Sequence, residues 1–376
     1  HPGRLRITTL DALCASLARQ MPYLSRFGSQ PGVSDDAEAH YATAARRTLE
    51  MVEAGTPDAE VVAEALAFMA TALAAVAPRQ QVQPILQRLH SVVELMAERD
   101  PTFRRWYLWP YYHNVHHREP RPYSTLVGAE EGIALSRIAG DRLIQVSLSI
   151  TERAYKWFEL GDVPGAVRLL RETEKEAAQV DGFVSELTRQ TLARVLCEAE
   201  EPGALDEAVR YSQAAIDSPG SASMFVGMAH HTLARVRLRR QQPAVEDALR
   251  AYKALEAAPL YGVEIAATVV WALLARGTPA EALPYVEKAL AVIAAYGGAG
   301  YAEVELRLAA SSAFHAVGEL PRAHAELRAT LHQIQLRADD IVDPAWRHSY
   351  LSRNPHCALA QSLARDWGLA AAGRSA

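Results

Sequence analysis

Gly277-Thr278-Pro279-Ala280-Glu281-Ala282-Leu283-Pro284-Tyr285-Val286-Glu287-Lys288-Ala289-Leu290-Ala291-Val292-Ile293 is the stretch that decides the fold. The glycine stops one segment. Thr278-Pro279-Ala280-Glu281 then reads as a complete helix start, with threonine at the N-cap, proline at the first helical position and glutamate three residues on to close a capping box. Behind it, Leu283, Val286, Leu290 and Ile293 recur at steps of 3, 4 and 3. That spacing puts one apolar stripe on a helix that needs a neighbour to bury it.

The same grammar repeats on either side. Gly161-Asp162-Val163-Pro164, Glu201-Pro202-Gly203 and Gly318-Glu319-Leu320-Pro321 each stop one helix and start the next, and Asp343-Pro344 and Asn354-Pro355 do so near the C-terminus. Thr125, Ala166, Ala208, Ala248, Ala282 and Ala323 each open an amphipathic helix, at separations of 41, 42, 40, 34 and 41 residues. A fixed period in this range is the sequence mark of a solenoid. Leu327, Leu331 and Ile334, the set Leu187, Thr191 and Val195, and the set Ile265, Val269 and Leu273 all keep helical spacing. No stretch alternates as a strand between hairpin signals. The chain therefore reads as all-α, an α-solenoid of helical hairpins that bury a continuous core, each repeat touching only its neighbours.

The units fall near 101–139, 141–179, 183–218, 222–258, 262–296 and 301–338, with capping helices over 344–369. The first 100 residues are less regular. Leu10 to Met21 reads as a helix, Phe27 to Ser34 as a Gly/Pro/Ser stretch, and Asp35 to Ala54, Pro57 to Val76 and Gln80 to Glu98 as further helices, forming degenerate repeats or a cap. A separate small domain with a boundary near Asp100-Pro101 is the alternative.

Composition narrows the function classes. The 376 residues are 49% hydrophobic but only 7% aromatic, which suits close helix packing, and exceed the usual single core. A net charge of −5 gives no nucleic-acid footprint. The three cysteines, Cys14, Cys197 and Cys357, are odd in number and far apart. They lack metal spacing or a disulfide framework, which favours a reducing, cytoplasmic setting. No run of 18 apolar residues and no signal peptide suggests a membrane. The chain begins at His1 instead of Met, which is expected of a segment excised from a longer protein.

The block Trp106-Tyr107-Leu108 … Arg118-Glu119-Pro120 … Gly128-Ala129-Glu130-Glu131-Gly132-Ile133-Ala134 … Ala139-Gly140-Asp141-Arg142 … Trp157-Phe158-Glu159-Leu160-Gly161-Asp162 … Leu169-Leu170-Arg171 resembles the tetratricopeptide-like region of large bacterial signalling proteins. Those proteins join an N-terminal serine/threonine kinase to a central AAA/STAND-type ATPase and then to this region. The tail Tyr350-Leu351-Ser352-Arg353-Asn354-Pro355-His356 is similar to the end of such chains, and the resemblance spans roughly Trp106 to Leu369. Similar arrays sit in maltose-regulator-like transcription activators and in cyclase-linked ATPases. No Walker A loop, glycine-rich kinase loop, His-Arg-Asp or Asp-Phe-Gly is present, so no catalytic residue carries over. The resemblance implies a non-catalytic sensor or scaffold without a cofactor. Its partner would be a protein, a peptide or a domain of its own parent chain; a small-molecule inducer is the alternative.

Phe103 to Glu119 is the first candidate surface, carrying three of the 13 histidines among its aromatics. Trp106, Trp109, Tyr111, Tyr112, His113 and His117 are its candidate partner-binding residues, since recognition pockets favour aromatic walls. The plainer reading is that the aromatics fill gaps between repeats while the histidines sit at the rim. His113 and His117, four apart on one helix face, also have the spacing of two metal ligands, with Glu119 as the nearest third. No metal site is assigned on that pair alone. An enclosed, inward-facing aromatic cluster would favour an inducer sensor, and a solvent-facing one a scaffold.

Arg237 and Arg240, within Arg235 to Arg240, form a second candidate patch, although arginines at a helix C-terminus already suit its dipole. His230-His231 point about 100° apart on a helix and read as structural. Gly297-Gly298-Ala299-Gly300 follows a helix where a dinucleotide fingerprint would follow a strand, and reads as a flexible turn. Ser311-Ser312 with His315 lacks an orienting acid and is not read as a nucleophile.

Overall fold

The computed structural model describes residues 59–219 and 221–369. The helices expected over Leu10 to Met21 and Asp35 to Ala54, the Phe27 to Ser34 stretch, and Cys14 lie outside the described residues.

Among the described residues every regular element is a helix. The helices are α1 (Ala59–Ala72), α2 (Arg79–Ala97), α3 (Arg105–Arg118), α4 (Pro122–Ala139), α5 (Arg142–Leu148), α6 (Tyr155–Glu159), α7 (Val163–Ala177), α8 (Gly182–Leu196) and α9 (Ala204–Asp217). They continue as α10 (Ser223–Arg239), α11 (Val245–Ala254), α12 (Pro259–Arg276), α13 (Leu283–Tyr296), α14 (Ala302–Ala316), α15 (Leu320–Asp340), α16 (Pro344–Arg353) and α17 (Pro355–Asp366). A π-helical turn, Ser149–Ala154, joins α5 to α6.

Short polar residues start many of these helices. Asp141, Asp162, Asp181, Asp343 and Asn354 each accept a hydrogen bond from a first-turn N–H, satisfying donors that would otherwise be orphaned. Glycines in the left-handed conformation end α4, α12 and α13. Thr278 departs from its expected role. Its hydroxyl takes no first-turn N–H but accepts from Arg276 at 3.1 Å, and Glu281 pairs with Arg276 at 2.5 Å. Arginine competes for both oxygens, so the capping box does not form, and Pro279–Ala282 is a 3-10 turn.

Helices α8, α10, α12 and α14 pack side by side as an inner layer, with α9, α11, α13 and α15 outside them. Alanine and β-branched residues of α12, including Val263, Ala266, Ala267, Val269 and Val270, are wholly enclosed in the core of α10 to α14. This explains why α12 alone among the described helices is long and apolar enough to cross a membrane: it is a core helix.

The expectation that only neighbouring repeats touch is corrected. The array closes on itself. Asp340, at the end of α15, accepts the N–H groups of Tyr123 (2.8 Å) and Ser124 (3.0 Å) at the start of α4. Leu260 N–H donates to Ala75 (3.2 Å), Tyr296 hydroxyl to Val76 (3.1 Å), and Asn354 to the Glu159 carbonyl (2.9 Å). Leu126 of α4 and Leu160 share a core with Val304, Leu327, Tyr350 and Cys357 from the far end.

Closure depends on two glycine turns. A Cβ on Gly300 would stand 2.6 Å from the His117 carbonyl carbon, and one on Gly161 2.9 Å from the Ser349 carbonyl oxygen. Both glycines also have positive φ, 45° and 93°. The loop Gly297 to Gly300 is therefore a seat for the end of α3.

Candidate functional site

The inner helices face a concavity whose lining is charged. Arg194 on α8 and Arg235 on α10 are 41 residues apart, as are Glu264 on α12 and Glu305 on α14. The repeat period thus places two arginines and two glutamates at successive positions along one groove. Arg194 Nε lies 2.9 Å from Glu264, and Arg235 bridges Glu305 (2.7 Å) and Glu198 (2.8 Å). Tyr301 and Tyr155 hydroxyls donate to the two oxygens of Glu264, at 3.0 and 3.3 Å. His231 meets Thr268 at 2.9 Å, and His356 on α17 stands 3.7 Å from Glu305.

Burial alone would push these carboxyls up, but the arginines overrule it. Glu264 is held at about 2, mainly by Arg194 with His231 and Arg235, and Glu198 at about 2 by Arg235 and Arg194. Burial drops His231 to about 4, so it is neutral at pH 7. The groove thus carries a fixed, largely buried ion-pair network, whose geometry matters more than its net stabilisation.

α3 closes one side of the groove. His116 stacks on Tyr301 at 4.5 Å and meets Tyr155 edge-on at 5.5 Å, while His117 packs edge-on against Tyr261 at 5.1 Å. Burial drives both imidazoles well below the usual histidine range, helped by Lys156 and His117 beside His116 and by His113 and Arg118 beside His117. Neither nitrogen of His117, nor Nδ1 of His116, has a hydrogen-bond partner.

The sequence candidates fall in different places. Trp106 and Trp109 are buried between α1, α2, α3 and α4, with Trp109 edge-on to Phe68 at 5.1 Å. Tyr111 stacks on Tyr107 at 5.2 Å, half-buried on another face of α3. Tyr112 lies over Gly128, where any side chain would overlap its ring. His113 is tied to buried Glu152 at 2.7 Å, which the π-helical turn places. Of the six aromatic-segment candidates, only His117 packs on a residue lining the groove, Tyr261, while the α3 residue that itself lines a cavity there is its neighbour His116. The metal geometry is absent: Glu119 is held by Arg79 at 2.8 Å, and among the described residues no three His, Cys, Asp or Glu side chains converge on an ion position.

Arg237 and Arg240 sit at the outer end of α10, paired with Asp247 (3.0 Å) and Asp206 (2.6 Å). They do not meet the α3 candidates. Their neighbour Arg235 enters the groove instead. Arg194, Arg235, Glu264 and Glu305 were missed, although the shared 41-residue spacing could have found them. His230 pairs with Asp247 at 3.0 Å. Ser311 and Ser312 donate to the Leu308 carbonyl, and His315 stacks on Trp367 at 4.4 Å, so no nucleophile–base pair forms.

Comparison with known proteins adds the fold's context. A scan of protein-family models gives no match, and a search of curated proteins gives none either. Among solved structures, the chain is similar to a Rap protein complexed with competence and sporulation factor. The TM-score is 0.57 at 9% identity, over 96% of this chain and 93% of that one. The fold is that of tetratricopeptide-like helical repeats. At that identity the likeness concerns architecture alone.

Proposed function

We propose that this chain is a non-catalytic recognition module that binds a peptide or protein segment in the groove lined by α8, α10, α12 and α14. The observation that carries the reading is the groove's lining. Four inner helices bring Arg194, Arg235, Glu264 and Glu305 to one concave surface, where an apolar core would serve packing better. The similar Rap protein is complexed with competence and sporulation factor, which supports a groove that takes a ligand. A bound segment displaces the end of α3 and meets these charges as a fixed surface, so binding selects among degrees of closure of the array. The resemblance to kinase–ATPase signalling chains supports a bacterial, cytoplasmic module whose partner is another protein or a domain of the same parent.

The inducer reading draws on His116 and His117, which are inward-facing and enclosed. It meets a size limit, since two cavities at the groove measure about 40 and 50 Å³, against at least ~300 Å³ for drug-sized ligands. The test is affinity selection from a random heptapeptide library on the purified chain. Selected peptides should raise the melting temperature and slow hydrogen exchange in α8, α10, α12 and α14. Selection that yields no binder, or protection confined to the outer helices, overturns the proposal. A metabolite set that shifts melting where peptides do not would favour the inducer.

A further inference from the structure

The tyrosines of α3 that take no part in the groove form a strip of their own. His90 on α2 lies 4.6 Å from Tyr107, Tyr107 stacks on Tyr111 at 5.2 Å and 24°, and Tyr112 meets Tyr111 edge-on at 5.0 Å. These rings are in unbroken contact, and Tyr112 is fixed at the far end by its seat over Gly128. The strip lies at the surface, with His90 exposed and the three tyrosines partly so. The hydroxyls of Tyr107 and Tyr112 bond to no described residue and are not enclosed, so both are open to solvent. Burial, with Tyr111, Tyr112 and Glu94 nearby, pushes Tyr107 up to about 12, which keeps its proton in place for donation. Core packing accounts for the buried Trp106 and Trp109, but not for a row of rings that keeps accessible donors.

Ring shape, free donors and charge together define an occupant. A polyproline II segment presents flat pyrrolidine rings and carbonyls that no internal hydrogen bond uses, and at ~3.1 Å per residue roughly five residues match the strip. Such a segment is already extended, so docking on aromatic rings orders little. Charge sets what flanks it. Glu94 is held by Arg104 at 3.4 Å, and Arg121 by Glu119 (3.7 Å) and Asp340 (4.0 Å). Glu131 is exposed, adds to burial and Tyr111 in pushing the Tyr112 hydroxyl up, and makes no ion pair among the described residues. The uncompensated charge beside the rings is therefore negative. Single-stranded nucleic acid also stacks on aromatic rows, but its phosphates need cations there. We infer that the strip of His90, Tyr107, Tyr111 and Tyr112 docks a proline-rich segment of a partner protein, with a basic residue at the end that meets Glu131. Tyr107 donates to a carbonyl of the segment, the rings pack its prolines, and Glu131 pairs with the basic side chain. This surface is separate from the groove of α8, α10, α12 and α14 and does not depend on what binds there.

Fluorescence anisotropy on the full chain tests it with labelled hexaproline flanked by arginine, by glycine or by glutamate, and with hexaglycine as control. The arginine-flanked peptide should bind tightest, the glutamate-flanked one weakest of the three, and hexaglycine not at all. Tyr107→Phe removes only a hydroxyl without a protein partner and should weaken hexaproline about fivefold, the loss of one hydrogen bond. Glu131→Gln should bring the arginine- and glycine-flanked peptides to equal affinity. Absence of hexaproline binding, equal binding of hexaglycine, or an affinity that neither variant alters overturns the inference. Cellohexaose binding where hexaproline does not would assign the rings to a sugar and overturn it too. Hexaproline that slows hydrogen exchange in α8, α10, α12 and α14 would lie in the groove, which overturns the strip and leaves the groove reading standing. Should either variant fail to fold, the ranking of the peptides on the unaltered chain decides.

Discussion

Gly300→Ala isolates the closure of the array from ordinary backbone strain. Gly300 has φ 45°, and an alanine in that left-handed region costs about 1 kcal/mol wherever it stands. The added Cβ would also overlap the His116 carbonyl oxygen and lie 2.6 Å from the His117 carbonyl carbon and 2.8 Å from the Arg118 nitrogen, whereas ordinary contact begins near 3.4 Å. All three obstacles are backbone, so no side chain can swing aside, and the end of α3 must retreat by about 1 Å or more. That shift strips the Tyr301 N–H of the His116 carbonyl, 3.4 Å away, and loosens the His116 stack on Tyr301. Such a repacking adds about 2 kcal/mol, for a total of about 3 kcal/mol. Gly277→Ala is the control, because Gly277 has φ 82° with nothing within 4 Å of its Cβ position, so only the backbone strain remains. A stacked array can open piecewise, which makes a single melting temperature a poor readout. Hydrogen exchange of α3 amides is local. Gly300→Ala should speed α3 exchange by more than tenfold relative to Gly277→Ala, the equivalent of ~1.4 kcal/mol or more. Equal exchange in the two variants would refute the seat.

Three further outcomes are expected. Arg194→Met alone should destabilise by about 3–5 kcal/mol by stranding Glu264, whereas Arg194→Met with Glu264→Leu should recover most of it; a urea double-mutant cycle showing simple additivity would contradict the network. His231 is held near 4 in the folded chain, so the unfolded chain binds the extra proton between about pH 6.5 and 4. Stability is therefore full above pH 6.5 and falls on acidification, by about 2 kcal/mol at pH 5 from this residue alone; Glu264 and Glu198, held at about 2, add losses only below about 4.5. A urea midpoint that stays flat from pH 7.5 to 5 would count against it, and replacing His231 by asparagine should remove that share of the slope. His117→Phe removes two unpartnered ring nitrogens from an aromatic nest and should stabilise by about 1 kcal/mol; destabilisation beyond about 2 kcal/mol would mean those nitrogens are paired in solution.

The helices were legible because their signals are local. Asp162 and Asn354 cap the helices that their turns announce, and Leu283, Val286 and Ile293 fall on one buried or half-buried face of α13. The capping box at Thr278 failed because a pattern of residue types says nothing of a competing arginine two positions back. The site was less legible for a different reason. Trp106 and Tyr112 look like binding aromatics in one dimension, but Trp106 fills the α1–α4 core and Tyr112 a notch over Gly128. Arg235, by contrast, looks like one member of a solvated cluster. Only its orientation on α10, and the matching position of Arg194 one repeat earlier, separate it from Arg237 and Arg240. Closure was not legible at all, since a glycine required by a backbone more than 180 residues away reads like any turn glycine.

The two sides of the groove are built on opposite physical terms. α12 carries Glu264 between Val263 and Ile265, both almost fully buried, and an apolar residue there would satisfy packing without desolvating a charge. Facing it, the end of α3 presents two neutral histidines with three of their four ring nitrogens unpaired and meets glycines that let backbone approach backbone, while Trp106, Trp109 and the bonds of Asn114 and Arg118 to the Ala70 and Ala77 carbonyls fasten the helix to its other neighbours. Withdrawal of α3 would expose those nitrogens to water, which can hydrogen-bond them, so opening there is cheaper than its buried area implies. A rigid charged surface beside a helix end whose ring nitrogens lack partners is what a recognition groove needs. The surface keeps its geometry through the Arg194–Glu264 and Arg235–Glu305 pairs, while that helix end can give way to a ligand that supplies the missing hydrogen bonds.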